Sequence, residues 1–191
     1  MLEVRTDLLA DLGLQEDYTT PTLEALVKGD SRYIKDLRMN LSSLKRLKEL
    51  NAKEQALIGL AIANNEQNKI LETVFAKRAV AEGATEEEQA EALACASLLS
   101  ANNVLYRFRH FMGRDTYDRM PAGLRMNIMN NPVLGKEFFE LLSTAVSAAN
   151  GCERCIQAHE ASLLQMDTSE KRVWATVRLT AVVISLSKVI Y

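Results

Sequence analysis

The chain has 191 residues and a mass of 21.3 kDa, enough for one full domain and too little for two large ones. Its 48% hydrophobic and 25% charged residues are a globular mixture, and its formal charge of −2 argues against a general nucleic-acid binder. Three Cys do not make a disulfide-stapled secreted scaffold, and 3 Pro with 8 Gly supply too little turn punctuation for a β-sandwich or barrel.

In chain order, MLEVRTDLLADLGLQED carries acids where a signal peptide needs an apolar stretch. Thr20-Pro21 followed by Glu24 predicts a capped helix start. Residues 31–50 place Ile34, Leu37, Leu41, Leu44 and Leu47 at helical spacing, with Arg32, Lys35, Arg38, Lys45, Arg46 and Lys48 opposite. That basic face is either solvated or a docking surface for an acidic partner. Helices follow over 52–64 and 66–82, stopped by Gly83. Thr85, with Glu86, Glu87 and Glu88 behind it, caps a helix predicted to run to about Tyr106. Pro121 and Pro132 bracket a short segment around Leu124–Met129. Helices are then expected from about Val133 to Ala149, over 152–166, and from Ser169 to the end. The most apolar stretch, Leu179–Ile190, is broken by Ser185, Ser187 and Lys188, short of the roughly 18 apolar residues of a membrane span. The expectation is an all-α protein of ten or so helices, soluble and cytoplasmic, with no membrane or nucleic-acid partner.

The chain also repeats itself. ALIGLAIANNEQNKI (56–70) lies over STAVSAANGCERCI (143–156) at a shift of 86, which sets Glu54 over Glu140. The organisation expected is an N-terminal helical extension (1–30), a first helical repeat (31–115) and a second (116–191), all in one compact domain. At this register Glu66, Lys69 and Thr73 stand where the second copy has Cys152, Cys155 and His159, so only the second copy carries the cysteine pair.

The chemistry concentrates in Gly151-Cys152-Glu153-Arg154-Cys155-Ile156-Gln157-Ala158-His159. Two Cys three apart at a helix start share one face and can close a disulfide. The helix N-terminus and Arg154 both favour a thiolate. His159 lies one turn beyond Cys155, within reach as a base. If the helices on either side of residue 150 form an antiparallel hairpin, Glu140 and His159 are nearly equidistant from the turn and become neighbours. Alternatives remain: an inert pair, or a zinc site on Cys152, Cys155 and His159, which lacks a fourth ligand nearby. Haem attachment would need His at position 156, and a thioredoxin-type site would need strands. Cys95 reads as a small core residue, and His110 as a surface or packing residue.

The run ELLSTAVSAANGCERCIQAHEASL, with Glu140 twelve positions before Cys152, resembles the alkyl hydroperoxidase D group of the carboxymuconolactone decarboxylase superfamily. The pattern E-x11-C-x-x-C-x-x-x-H and the duplicated helical layout carry that resemblance. It implies that Cys155 is the peroxide-reactive thiol that becomes a sulfenic acid. Cys152 is then its proton donor and resolving partner in a Cys152–Cys155 disulfide, and His159 and Glu140 complete a proton relay. It further implies a homotrimer with no bound cofactor and no metal. The electron donor would be dihydrolipoamide or a lipoylated subunit of a dehydrogenase complex, and a peroxiredoxin is a possible electron acceptor. Some members carry a second His between the two Cys, where this chain has Arg154.

Three functions are compatible with these residues. One is a lipoyl-dependent hydroperoxide reductase. A second is a thiol–disulfide adaptor between a lipoylated protein and a peroxiredoxin. A third is a decarboxylase-like enzyme using His159, which leaves the cysteine pair without a purpose.

Overall fold

The computed structural model describes residues 1–191 and contains ten α-helices and no strand, as the helical periodicities predict. The helices are α1 (Leu2–Leu12), α2 (Pro21–Lys28), α3 (Tyr33–Leu44), α4 (Ala52–Asn65), α5 (Lys69–Ala81), α6 (Glu86–Met112), α7 (Asp115–Arg119), α8 (Lys136–Ala149), α9 (Glu153–Gln165) and α10 (Glu170–Ser187), with a 3-10 turn at Asn127–Met129.

Local chemistry sets most starts. Thr20, Asn51, Asn68, Thr85 and Ser169 each accept a backbone N–H of the first turn, and Asn51/Glu54 and Thr85/Glu88 form reciprocal capping boxes. α4 and α8 are buried along nearly their whole length, Ala56 to Ala63 and Phe138 to Ser147, because they touch each other and are flanked by α6 and α10. α5 packs on α4, and α9 packs on α8. A single cluster of 38 buried hydrophobic residues runs through both halves, so they share one interior.

The structure moves several helix boundaries and adds one helix: α5 begins at Lys69 and α8 at Lys136, each three residues later than expected. α3 stops at Leu44 rather than near 50, because Leu50 turns into the core just before the Asn51 cap. α6 continues past Tyr106 to Met112, where Gly113 (φ 55°) supplies the first residue suited to a left-handed stop. α7 is an additional short helix, and α10 ends at Ser187. After α10, the carbonyl of Val189 accepts the Thr20 hydroxyl at 2.6 Å, and that of Ile190 accepts the Asn68 amide. The basic face of α3 is partly neutralised from within: Arg38 pairs with Asp7 (2.8 Å) and Asp11 (3.2 Å), and Lys45 with Asp11 (3.0 Å).

The internal register differs from the one read in the sequence. Ala52 and Lys136, Lys69 and Glu153, Glu86 and Glu170 are helix starts, each pair 84 positions apart rather than 86. Asn68, Leu71, Phe75 and Ala56 are therefore the first-half counterparts of Cys152, Cys155, His159 and Glu140. Phe75 lies against Gly59, where even a Cβ would come within 2.3 Å of the ring. Glu54 has another task. With Glu137 and the carbonyl of Glu49 it receives the Arg172 guanidinium, at 3.1 Å to Glu54 and 2.8 Å to Glu137.

Candidate active site

The α8–α9 hairpin builds the site. α8 ends at Ala149, and Gly151 (φ 65°) takes the left-handed conformation that reverses the chain between the two helices. The Cys152 N–H then bonds back to the Ser147 carbonyl at 3.0 Å. Side chains from outside the hairpin clamp this turn. Asn150 donates to Asn103 (2.9 Å) and accepts from Asn65 (3.1 Å), Asn103 donates to Ser147 (3.0 Å), and the Arg107 guanidinium reaches the Asn150 carbonyl (2.6 Å).

Cys152 is the residue preceding α9 and Cys155 lies in its first turn, with Cα atoms 5.3 Å apart and their sulfurs bonded to each other. Cys152 is fully buried, and Cys155 is 6% exposed. One turn on, the His159 Nδ1 stands 2.7 Å from Glu140 Oε2, with both side chains buried. Nδ1 is thus the nitrogen fixed by the carboxylate, and Nε2 has no protein partner. The four residues singled out in the sequence are brought to one place.

A cleft of about 350 Å³ opens onto Cys155 and His159, and its other walls are Leu99, Asn102, Tyr106, Met126, Met129, Arg154 and Ala158. Arg154 pairs with Asp118 at 2.6 Å, so its charge is shared with a carboxylate. His110 reaches the start of α9, its Nε2 3.4 Å from Glu153. Cys95 is in the core; burial pushes its thiol up to about 12, and so keeps it protonated. No group of three or more His, Cys, Asp or Glu is arranged to hold a metal ion, and no helix is long and apolar enough to cross a membrane.

The residues missed in the sequence are those that α6 and the 120–135 segment bring across: Asn102, Asn103, Tyr106, Met126 and Met129. One signal was present. Asn102-Asn103 interrupts an otherwise Ala- and Leu-rich helix with two poor helix formers.

Residues 115–189 match the family described as the carboxymuconolactone decarboxylase family. A protein of Methylobacterium sp. (strain 4-46), named alkyl hydroperoxide reductase AhpD, is 41% identical over 170 residues, covering 87% of this chain and 94% of that one. Proteins of the same name from Azorhizobium caulinodans (40% over 167 residues, 86% and 90%) and Nocardia farcinica (38% over 173 residues, 88% and 93%) are similar to nearly the same extent. Among solved structures, a protein from Burkholderia xenovorans LB400 described as a gamma-carboxymuconolactone decarboxylase subunit shares the fold. Its TM-score is 0.70 at 17% identity, over 97% of this chain and 92% of that chain. Identity of this order across more than four fifths of the chain shows that it belongs to the AhpD family within the carboxymuconolactone decarboxylase superfamily.

Proposed function

We propose that this protein is an antioxidant oxidoreductase that reduces alkyl hydroperoxides through a Cys152–Cys155 dithiol cycle with electrons from dihydrolipoamide or a lipoylated protein. The observation that carries the reading is a bonded cysteine pair at a cleft lined by His159, which stands 2.7 Å from Glu140. In the reduced protein the Cys155 thiolate attacks the terminal oxygen of the hydroperoxide. The O–O bond breaks, the alkoxide takes a proton and leaves as the alcohol, and Cys155 becomes a sulfenic acid. Cys152 then attacks that sulfur, water departs, and the disulfide closes. A dithiol donor reopens it by exchange, becoming a disulfide itself.

Glu140 holds Nδ1 of His159, so Nε2 is the atom that takes a proton from a thiol or gives one to the alkoxide. Exposed Phe108, Phe111, Met112, Met120 and Leu124 on one stretch of chain support assembly into the homotrimer that the family resemblance implies. The assignment to the cytoplasm belongs to the same proposal, as does a peroxiredoxin partner.

The test is to reduce the protein, remove the reductant, add one equivalent of an alkyl hydroperoxide and map the thiols by peptide mass spectrometry. A Cys152–Cys155 disulfide with Cys95 free is expected; Cys155→Ser abolishes the reaction, and Cys152→Ser leaves a trappable sulfenic acid at Cys155. Sulfenic acid at Cys152 instead would reverse the two roles. Reaction only when a peroxiredoxin is added would favour the adaptor function.

A further inference from the structure

Asn102 is 4% exposed, and its Oδ1 is the one buried side-chain polar atom in the molecule without a hydrogen-bond partner. An unpaired buried carbonyl is destabilising, so its retention asks for a reason. The residue lies in the wall of the cleft that holds Cys155 and His159. Its amide nitrogen donates to the Met126 sulfur at 3.0 Å. A thioether has no hydrogen to give, so the carbonyl must be the end of the amide left over. That oxygen has no donor in the folded chain: Leu99, Met126, Met129 and Ala158 are apolar, Arg154 is paired with Asp118, and neither Tyr106 nor His159 bonds to it.

We infer that Asn102 binds the hydroperoxide group, its Oδ1 accepting the O–H of the substrate while the alkyl tail lies on Leu99, Met126 and Met129. This rests on the peroxidase reading above and adds the substrate's place in the cleft. An alkyl hydroperoxide carries one O–H donor at the end of an apolar body, which is the complement of one unpaired acceptor beside the apolar Leu99, Met126, Met129 and Ala158. The N–H···S bond is weak, and Met126 sits in the irregular segment after α7. A rotation of that side chain opens the oxygen to the cleft. Held this way, the terminal oxygen is presented to Cys155. As the S–O bond forms and the O–O bond breaks, the hydrogen stays on the terminal oxygen, and Asn102 passes from hydroperoxide to Cys155 sulfenic acid without releasing it.

The test uses the reduced full-length protein and two reagents for Cys155: cumene hydroperoxide, which has the O–H, and methyl methanethiolsulfonate, which has no hydrogen-bond donor. In Asn102→Leu, of nearly the same shape, the hydroperoxide rate constant is expected to fall about five- to tenfold. The thiosulfonate constant stays within about twofold, and Tm is unchanged or higher because an unpaired carbonyl has been removed. An unchanged hydroperoxide constant, or both constants falling together, overturns the inference. If the leucine crowds the site and the variant does not fold, Asn102→Ala is judged by the same two constants. A wild-type protein that reacts with the thiosulfonate but not with the hydroperoxide removes the peroxidase reading, and this inference with it.

Discussion

Gly59 and Phe75 show at the scale of single residues how the first half of the chain differs from the second at the position of His159. Phe75 stands where His159 stands 84 positions later, and its ring occupies the space that a side chain at 59 would need. Gly59→Ala is therefore expected to lose about 1–3 kcal/mol by overpacking, against the small gain that Ala normally brings to a helix. Urea denaturation checks this, and Phe75→Leu in the same chain should return most of the loss; two losses that simply add would show that the ring is not the obstacle. The register behind this comparison was not legible in the sequence. Matching Ala63-Asn64 to Ala149-Asn150 is a match of letters, whereas the helix starts are set by the caps at Asn68, Thr85 and Ser169 together with Cys152. The pairing of Glu140 with His159 was legible, because counting outward from a tight turn needs only the turn and the helix rise.

Among elements, the segment between α7 and α8 forms one wall of the cleft with little secondary structure of its own, so its position depends on anchors. Glu91, buried on α6, accepts the backbone N–H groups of Val133 and Leu134, each at 2.7 Å. Arg109, in the last turn of the same helix, holds the Met120 carbonyl at the other end of the segment. Replacing Glu91 by Ala strips both N–H groups of a charged acceptor. The expected cost is about 2 kcal/mol, since water can reach half-exposed Leu134 and exposed Val133 and recover part of the loss. Limited proteolysis should then cut between residues 120 and 134 sooner than in the parent chain. An unchanged cleavage pattern would mean the segment is held by other contacts. None of this was visible in the sequence, where Pro121 and Pro132 showed that helix is interrupted but not what the interruption packs against.

Across the whole molecule, Arg172 ties the start of α10 to the starts of α4 and α8 through Glu54 and Glu137. Its hydrogen bond holds the Glu137 carboxyl below the usual 4.5, outweighing the opposite pull of burial. A carboxyl with a depressed value in the folded state contributes stability that is complete above about 4.5 and lost as pH falls through the folded value. Arg172→Met is expected to lower stability at pH 7 by on the order of 2 kcal/mol, discounted for partial exposure. The difference from the parent chain should shrink on acidification below pH 4.5 in a series of thermal melts. A difference independent of pH would assign the loss to packing of the arginine stem. At this scale the sequence yielded the fold class and the cysteine-bearing hairpin, both written in local periodicity and caps. It could not yield which helices flank α4 and α8, because that is decided by surfaces far apart in the chain.

The burial of the two sulfurs has a consequence for traffic through the site. With Cys152 fully enclosed and Cys155 6% exposed at a cleft of about 350 Å³, a reagent reaches the sulfurs only through that cleft. A dithiol on a slender, swinging arm can thread it, whereas a thiol embedded in a broad protein face or carried by a bulky peptide meets the rim first. Exchange rates depend on access as much as on driving force. Under the proposed function, the oxidised protein is expected to be reduced faster by a dithiol carried on a slender arm than by a thiol set in a broad protein face.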